Sequence, residues 1–184
     1  MLTAIAGYYD HGQIILKEDP LVKNKTEVIV TFLNGMPEIS HLLLIDDASY
    51  EIPEKLTPLT NAIEESKHIF SLPEGWDEGN AKQIPESFWI SAARFTIEYA
   101  LYLYHHFELI LEIPEINPVS NGTIDISWRT KNGRMLINIR QENNEMLAYY
   151  YGDLYHDRFP VKGCVPANNI APHLVQWMKD YLAA

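Results

Sequence analysis

The sequence predicts an α+β fold in which antiparallel β-meanders pack against a long central helix and a C-terminal helix. Three observations support this prediction. Stretches rich in β-branched and aromatic residues occur near both ends of the 184-residue chain, residues 87–109 are mostly apolar or aromatic, and an amphipathic stretch covers residues 169–182. With 47% hydrophobic residues, the chain is long enough to bury a sizeable core.

The first region, residues 1–34, is predicted to form a small β-meander. Two apolar stretches flank His11-Gly12, which favours a hairpin. Residues 26–33 are rich in β-branched side chains and predict a third strand. A meander of this size is not stable by itself, so we expect it to pack against another element.

Residues 35–86 are predicted to be an acidic, proline-containing connecting region. They hold 11 acidic residues, 3 basic residues and five prolines. A short helix is expected over residues 59–70. After it, Gly75 favours a turn that presents Trp76, and we interpret Asp77 as an anchor of that turn rather than as part of a ligand site.

Residues 87–184 are predicted to form an α+β domain that begins with a helix over residues 87–109. Ser87 is a favourable N-cap for this helix. Its polar residues recur every three or four positions and form one narrow stripe: Ser91, Arg94, Glu98, Tyr102, His105 and Glu108. A helix with so little polar surface is normally covered on most sides, so we expect it at the centre of the domain, against a sheet. The three regions are expected to fold as one cooperative unit or, alternatively, as a small β domain hinged to an α+β domain.

Three strands are predicted after this helix, over residues 123–129, 134–140 and 146–151. They are rich in aliphatic and aromatic residues and are separated by Asn132-Gly133 and Asn143-Asn144. Both dipeptides favour two-residue type I′ turns. The segment therefore reads as an antiparallel meander.

The first of these turns would set the strand register. It pairs Ile126 with Ile139 on one face and Asp125 with Arg140 on the other. An apolar pair and an opposite-charge pair therefore fall on opposite faces. The final helix, expected over residues 169–182, turns an apolar side toward the core.

The second face of this meander is the best candidate for an interaction surface. It combines arginine and tyrosine side chains, which protein interfaces favour because they offer large contact areas and several hydrogen-bond donors. The candidate partner-binding residues are Arg129, Leu136, Asn138, Arg140, Tyr149 and Tyr151. The alternative is that a helix covers this face, so that the same residues form the edge of the core.

Net charge and cysteine content restrict the environment and the partners. The formal net charge is −11, which does not favour binding to nucleic acid or to an anionic membrane. The most apolar stretch is interrupted by charged residues, so no transmembrane span is expected. One cysteine excludes an internal disulfide, and no signal-peptide pattern is present, so we predict a cytoplasmic protein.

No catalytic, metal-binding or cofactor-binding motif is recognised. Among the seven histidines, the neighbours His105 and His106 point about 100° apart on a helix and cannot chelate one ion. Cys164 lacks a nucleophile signature and is interpreted as a small buried hydrophobe. We therefore predict no metal site, no cofactor and no enzyme activity.

A first resemblance lies near the N-terminus, in the runs GYYDHGQIIL at 7–16 and KTEVIVTF at 25–32. They resemble the short β-rich segment of small bacterial antitoxins and antitoxin-like proteins, in which a tyrosine, a glycine turn and a valine-rich strand recur. This resemblance implies a bacterial chain that binds and neutralises a toxin.

A second resemblance lies in the runs LPEGWD at 72–77 and PVSNGTIDISW at 118–128. They look like a bacterial domain of unassigned function that has a Gly-Trp-Asp turn, a helix and a strand ending in tryptophan. This resemblance implies a fold and no catalytic residue.

Together these observations predict a non-enzymatic bacterial binding protein, antitoxin-like or immunity-like, that masks a protein partner. The acidic balance suits a basic toxin, because complementary charge speeds association. The alternative is a small-ligand-binding protein or an enzyme with a site between the sheet and the stripe at Tyr102 and His105. Homo-oligomerisation is left open.

Overall fold

The computed structural model describes residues 5, 7–10, 13–20, 24, 28–31, 39–156 and 160–183. The chain divides into two compact units, Met1–Gly35 and Met36–Ala184, and each is described separately. The described residues form both helices and antiparallel sheets, so the predicted α+β fold class is confirmed.

The first unit contains an antiparallel hairpin of β1 (Gly7–Asp10) and β2 (Gln13–Leu16). The predicted turn residues, His11-Gly12, lie outside the described residues. Residues 28–31 of the predicted third strand are described and do not belong to a strand, and the rest of that segment lies outside the description. High β-propensity is not sufficient there, because a strand also needs a hydrogen-bonded neighbour.

The second unit begins with folded structure where the composition predicted a connecting region. Strands β3 (Ile39–Ile45) and β4 (Ala48–Pro53) form a hairpin, and helix α1 (Thr57–Glu65) continues into a 3-10 turn, Ser66–Ser71. The predicted helix over residues 59–70 is therefore α-helical only in its first part. The composition was misleading because acidic residues occupy exposed positions between the buried side chains of Leu43, Ile45, Ile52, Leu59 and Ile63.

A five-stranded antiparallel sheet forms the larger part of this unit. Its strands follow in chain order: β5 (Glu115–Pro118), β6 (Ile124–Arg129), β7 (Gly133–Glu142), β8 (Glu145–Leu154) and β9 (Val161–Pro166). The edge strands β5 and β9 were not predicted. Each contains a proline, which weakens the strand pattern and is tolerated mainly in edge strands.

The register between β6 and β7 differs from the predicted one by two residues. Ile126 pairs with Ile137 and Asp125 pairs with Asn138, so the predicted pairs with residues 139 and 140 are wrong. The faces are unchanged, because a shift of two residues preserves the alternation of side chains.

The physical reason for this shift lies in the turn itself. Thr130 N donates to Gly133 O (2.9 Å), and the Thr130 hydroxyl accepts from Asn132 N (3.2 Å) and Gly133 N (3.3 Å). Gly133 is needed for close approach and not for a positive φ, since a Cβ atom there would lie 2.5 Å from Asp153 O. The second predicted turn is confirmed: Asn143 and Asn144 have φ values of 50° and 64°.

Helix α2 (Glu86–Phe107) is the predicted central helix with slightly different ends. Pro85, and not Ser87, occupies the N-cap position and makes no side-chain capping bond. The proline is extended, with φ −63° and ψ 141°, so the helix begins directly after it. The helix ends two residues before the predicted boundary, because Glu108 takes a left-handed φ of 57°.

Helices α2 and α3 (Pro172–Tyr181) pack against one face of the sheet. Helix α2 contacts β6 and β7, and His173 of α3 lies 2.9 Å from the hydroxyl of Tyr150 in β8. The side chains on this covered face are almost fully buried: Ile124, Ile126, Trp128, Met135, Ile137, Ile139 and Ala148. The Trp128 indole donates to Glu112 O (2.9 Å), which satisfies its polar atom in the core.

Candidate interaction face of the sheet

The face of the sheet opposite the two helices, which we call the open face, carries the predicted partner-binding residues. Strand register places Leu136 opposite Tyr151 and Asn138 opposite Tyr149. Arg140 follows two residues further along β7 and therefore points to the same side. Leu136 is 41% exposed and Tyr151 is 40% exposed, so a helix does not cover this part of the sheet.

Arg129, the sixth predicted residue, lies apart from the others. It is the last residue of β6 and pairs with Arg134 at one end of the sheet. Arg134 donates to both carboxylate oxygens of Asp153 on β8, at 2.8 and 3.2 Å. Arg129 therefore belongs to a charged margin and not to the aromatic centre of the face.

At the other end of the face, Arg140, Glu142 and Tyr149 form a compact group. The guanidinium of Arg140 lies 3.4 Å from the centre of the Tyr149 ring, and its Nε lies 3.2 Å from Glu142 Oε1. The Tyr149 hydroxyl donates to Glu142 Oε2 (2.8 Å). This hydrogen bond to a carboxylate raises the pKa of Tyr149 above its ordinary value.

Asn138 is held by two neighbours on β6 and the preceding loop. Its Nδ2 donates to Asp125 Oδ1 (2.7 Å) and to Thr123 Oγ1 (2.8 Å). Asp125 therefore has an amide partner where the sequence predicted Arg140. Because its amide hydrogens are both used, Asn138 presents mainly a fixed carbonyl oxygen to a binding partner.

A shallow groove of about 600 Å³ runs across β7, β8 and β9. Its lining combines apolar, aromatic and cationic groups: Leu136, Asn138, Tyr149, Tyr151, Lys162 and Cys164. The sequence predicted the first four of these residues but missed the contribution of β9. The missed signal is the alternation of Val161, Gly163 and Val165 with Lys162 and Cys164.

Cys164 is exposed on this groove, so its interpretation as a buried hydrophobe is wrong. Strand β9 pairs it with Tyr149 on the open face. Its neighbour Gly163 faces the core instead, where a Cβ atom would lie 2.3 Å from the Tyr150 hydroxyl. The glycine therefore leaves room for the Tyr150 ring, and the alternation of the strand places Cys164 on the opposite face.

The turn at Gly75, Trp76 and Asp77 is held by contacts within its own loop. Asp77 Oδ1 accepts hydrogen bonds from the backbone N–H groups of Gly79 (2.9 Å) and Ala81 (3.1 Å). Trp76 Nε1 donates to the carbonyl oxygen of Lys82 (3.3 Å), and Gly75 has a φ of +76°. The side chains of Trp76 and Asp77 and the positive φ of Gly75 thus all stabilise the conformation of the turn.

The polar stripe of α2 meets the β3–β4 hairpin and not the five-stranded sheet. Arg94 donates to Ile45 O (3.1 Å) and also contacts Asp46 and Asp47 in the hairpin turn. The Tyr50 hydroxyl donates to Glu98 Oε1 (2.8 Å). This part of the stripe therefore fastens the hairpin to the helix.

Tyr102 and His105, further along the stripe, are exposed, and the exposed fraction of Tyr102 is 36%. Between α2 and the sheet, the described residues are apolar and buried. Phe95 and Tyr99 belong to this core, and their rings stack with centres 4.4 Å apart. A ligand site between the sheet and the helix stays a prediction.

The sequence predicted neither a metal site nor a transmembrane span. No cluster of three or more histidine, cysteine, aspartate or glutamate side chains in this part of the chain could hold a metal ion. Among the helices described, none has the length and hydropathy to cross a membrane.

Comparison with known proteins adds no relative. The chain has no significant match among protein-family profiles, curated proteins or solved structures.

Proposed function

We propose that this chain is a bacterial binding protein of the antitoxin-like or immunity-like type, which masks a protein partner through the open face. The observation that supports this proposal is an arginine and tyrosine surface that both helices leave uncovered. Tyrosine and arginine are enriched among the residues that dominate binding energy in protein interfaces. The single cysteine cannot form an internal disulfide, which suits action in a reducing compartment such as the cytoplasm.

The groups of the open face suit a protein surface better than a nucleic acid. Basic and acidic side chains are mixed on it, with Arg134 paired to Asp153 and Arg140 beside Glu142. A strand of phosphates would instead require several unpaired cations. The fixed ring of Tyr149 and the exposed ring of Tyr151 offer contact area at a low entropic cost.

The acidic residues of the same unit are well placed to steer a basic partner. Residues 35–86 hold a net charge of −8, and most of their described acidic side chains are exposed. Such a field accelerates encounter without adding much affinity at the contact itself. We therefore assign affinity to the open face and association rate to the acidic segment.

The test begins with proteins from the source organism that bind the full-length chain and continues with the purified candidate partner. Titration calorimetry should show that Tyr149→Ala and Tyr151→Ala each weaken binding by about 30-fold, as for a hot-spot residue. Raising the salt concentration should slow association more than it speeds dissociation. Binding should also inhibit the activity of the partner in proportion to occupancy.

Phe107→Ala is the matched control, because Phe107 is 40% exposed, as Tyr151 is, but lies at the end of α2. This variant should bind like the wild type. Equal affinities of the wild type and both tyrosine variants would exclude the open face. A partner that stays fully active in the saturated complex would exclude masking.

The groove also favours a second candidate, a small-ligand binder. The groove is shallow, so a ligand would lie across the strands and not inside an enclosed pocket. Lys162 supplies one cation beside the tyrosine rings, which suits an aromatic carboxylate. A thermal-shift screen of aromatic acids should then raise the melting temperature of the wild type but not of Lys162→Ala.

A further inference from the structure

A hydroxyl and imidazole cluster lies where β3 meets the start of α1. Ser40 Oγ is 2.7 Å from His41 Nδ1 and 3.1 Å from Thr57 Oγ1. On the far side of the imidazole ring, His41 Nε2 is 3.1 Å from Thr60 Oγ1. The four side chains therefore form one continuous hydrogen-bonded group.

A β-bulge makes the contact between Ser40 and His41 feasible. Neighbouring residues of a regular strand point to opposite faces. Here the register shifts between Ile39, which pairs with Pro53, and His41, which pairs with Ile52. Ser40 is the extra residue of the bulge, so its side chain is free to turn toward the imidazole. Bulges of this kind re-aim side chains next to active sites.

The distances indicate a direction for the two hydrogen bonds of the imidazole ring. Thr60 has one hydroxyl proton, which it donates to Thr57 O (2.9 Å). Its oxygen must then accept from His41 Nε2–H, which leaves the lone pair of the neutral ring on Nδ1. The Ser40 hydroxyl donates to that lone pair, which at 2.7 Å is its nearest acceptor; Thr57 Oγ1 and Ile52 O lie farther away, at 3.1 and 3.4 Å.

We propose that Ser40 is an activated nucleophile that reacts with carboxylic esters, with His41 as its general base and Thr60 as a positioning residue. The nucleophile is exposed, whereas Thr60 is 1% exposed and anchors the ring from inside the fold. A nucleophile within hydrogen-bond reach of a base, with a third group orienting that base, is the arrangement that activates serine. This inference departs from the prediction of a non-enzymatic chain and does not depend on the open face.

The chemical step is acyl transfer in two balanced stages. Ser40 Oγ forms a bond to the acyl carbon while its proton passes to His41 Nδ1, and the ester C–O bond then breaks. The leaving alkoxide takes the proton from Nδ1 and departs as an alcohol. Water repeats the sequence on the acyl-serine, which releases the carboxylic acid and restores the Ser40 hydroxyl. The positive end of the α1 dipole, which begins at Thr57, stabilises negative charge near Ser40.

The test uses the full-length protein and two probes, p-nitrophenyl acetate and a fluorophosphonate. Intact mass spectrometry followed by peptide mapping should find one adduct, on Ser40. Ser40→Ala should abolish it, while Ser49→Ala, which changes an exposed serine of the neighbouring strand, should label like the wild type. His41→Gln keeps a donor toward Thr60 but lacks the basic nitrogen, and should label about 100-fold more slowly.

The positioning role of Thr60 needs its own readout. Thr60→Val removes the acceptor for His41 Nε2–H and should lower the maximal labelling rate without changing the probe concentration that gives half of it, and Thr60→Ser should restore the rate. Phe107→Ala at the end of α2 should leave labelling unchanged. Absence of a Ser40 adduct on the wild type, equal labelling of Ser40 and Ser49, or an unchanged rate in His41→Gln would each overturn the proposal. The first two outcomes are read on the wild-type protein and require no variant to fold.

Discussion

The two faces of the five-stranded sheet are built from the same strands but differ in burial: one is covered by helices and the other is exposed. In β7, Ile137 is fully buried while its neighbour Leu136 is 41% exposed. In β8, Tyr150 is 8% exposed and hydrogen-bonded to His173, while Tyr151 is 40% exposed. The alternation of a β-strand therefore assigns one set of residues to stability and leaves the other set available for binding.

The two faces also differ in the hydrogen-bond partners of their polar groups. On the covered face, Trp128 has its partner within the fold, at Glu112 O (2.9 Å). On the open face, Tyr149 and Arg140 share Glu142, and all three also reach solvent. A partner protein could exchange the latter contacts for its own at little cost, because the groups are already accessible to water.

The largest expected contrast comes from truncating neighbouring residues of β7. Ile137→Ala should lower the free energy of unfolding by about 3 kcal/mol, because it leaves a cavity in the core. Leu136→Ala should change it by less than about 0.5 kcal/mol, since much of that side chain is already in water. Urea unfolding monitored by circular dichroism measures both. Equal losses would show that the open face is covered in solution.

A smaller contrast is expected for two tyrosine hydroxyl groups. Tyr99 is 1% exposed, and its hydroxyl accepts from Ala171 N (2.9 Å) and donates to Asn169 O (3.3 Å). Tyr99→Phe should therefore cost about 2 kcal/mol, because it leaves a buried N–H without an acceptor. Tyr149→Phe should leave the free energy of unfolding close to the wild-type value, because Glu142 can bind water instead. The same urea titration compares them, and a larger loss in Tyr149→Phe would contradict the assignment.

The smallest expected effect is a change in titration on the open face. The hydrogen bond to Glu142 raises the pKa of Tyr149 above its ordinary value of 10.0. A raised pKa stabilises the folded protein below pH 10.0, and this contribution is lost as the pH rises through the folded-state value. In Glu142→Gln the tyrosine should ionise closer to its ordinary value.

Ultraviolet absorbance during alkaline titration measures this ionisation, and the difference between the wild type and Tyr149→Phe isolates Tyr149 from the other tyrosines. If Glu142→Gln and wild-type curves coincide after this subtraction, the carboxylate does not control the phenol.

Much of the open face could be predicted from the sequence because it depends on a local rule. Once β7 and β8 were recognised, alternation placed Leu136, Asn138 and Arg140 on one side with Tyr149 and Tyr151. The turn at residues 143 and 144 needed two positive φ values, and asparagine tolerates them. These inferences required no knowledge of the rest of the chain.

The register of β6 and the contribution of β9 could not be predicted in the same way. The sequence predicts Gly133 as a turn glycine. In the structure it allows the close approach of β8, because a Cβ atom at this position would lie 2.5 Å from the backbone oxygen of Asp153. Lys162 and Cys164 reach the groove because an edge strand with glycine and proline pairs with β8. Both features depend on neighbours that are distant in sequence.

The sequence by itself determined the α+β class, the central helix and the two faces of the C-terminal meander. These follow from periodicity and turn chemistry, which act over a few residues. Only the tertiary structure decided which face the helices cover, that the acidic region folds onto α2 through Arg94, and that Ser40 meets His41 and Thr60. Apart from the neighbours Ser40 and His41, these contacts join residues many positions apart. Their formation depends on how whole elements pack and not on the preference of any one segment.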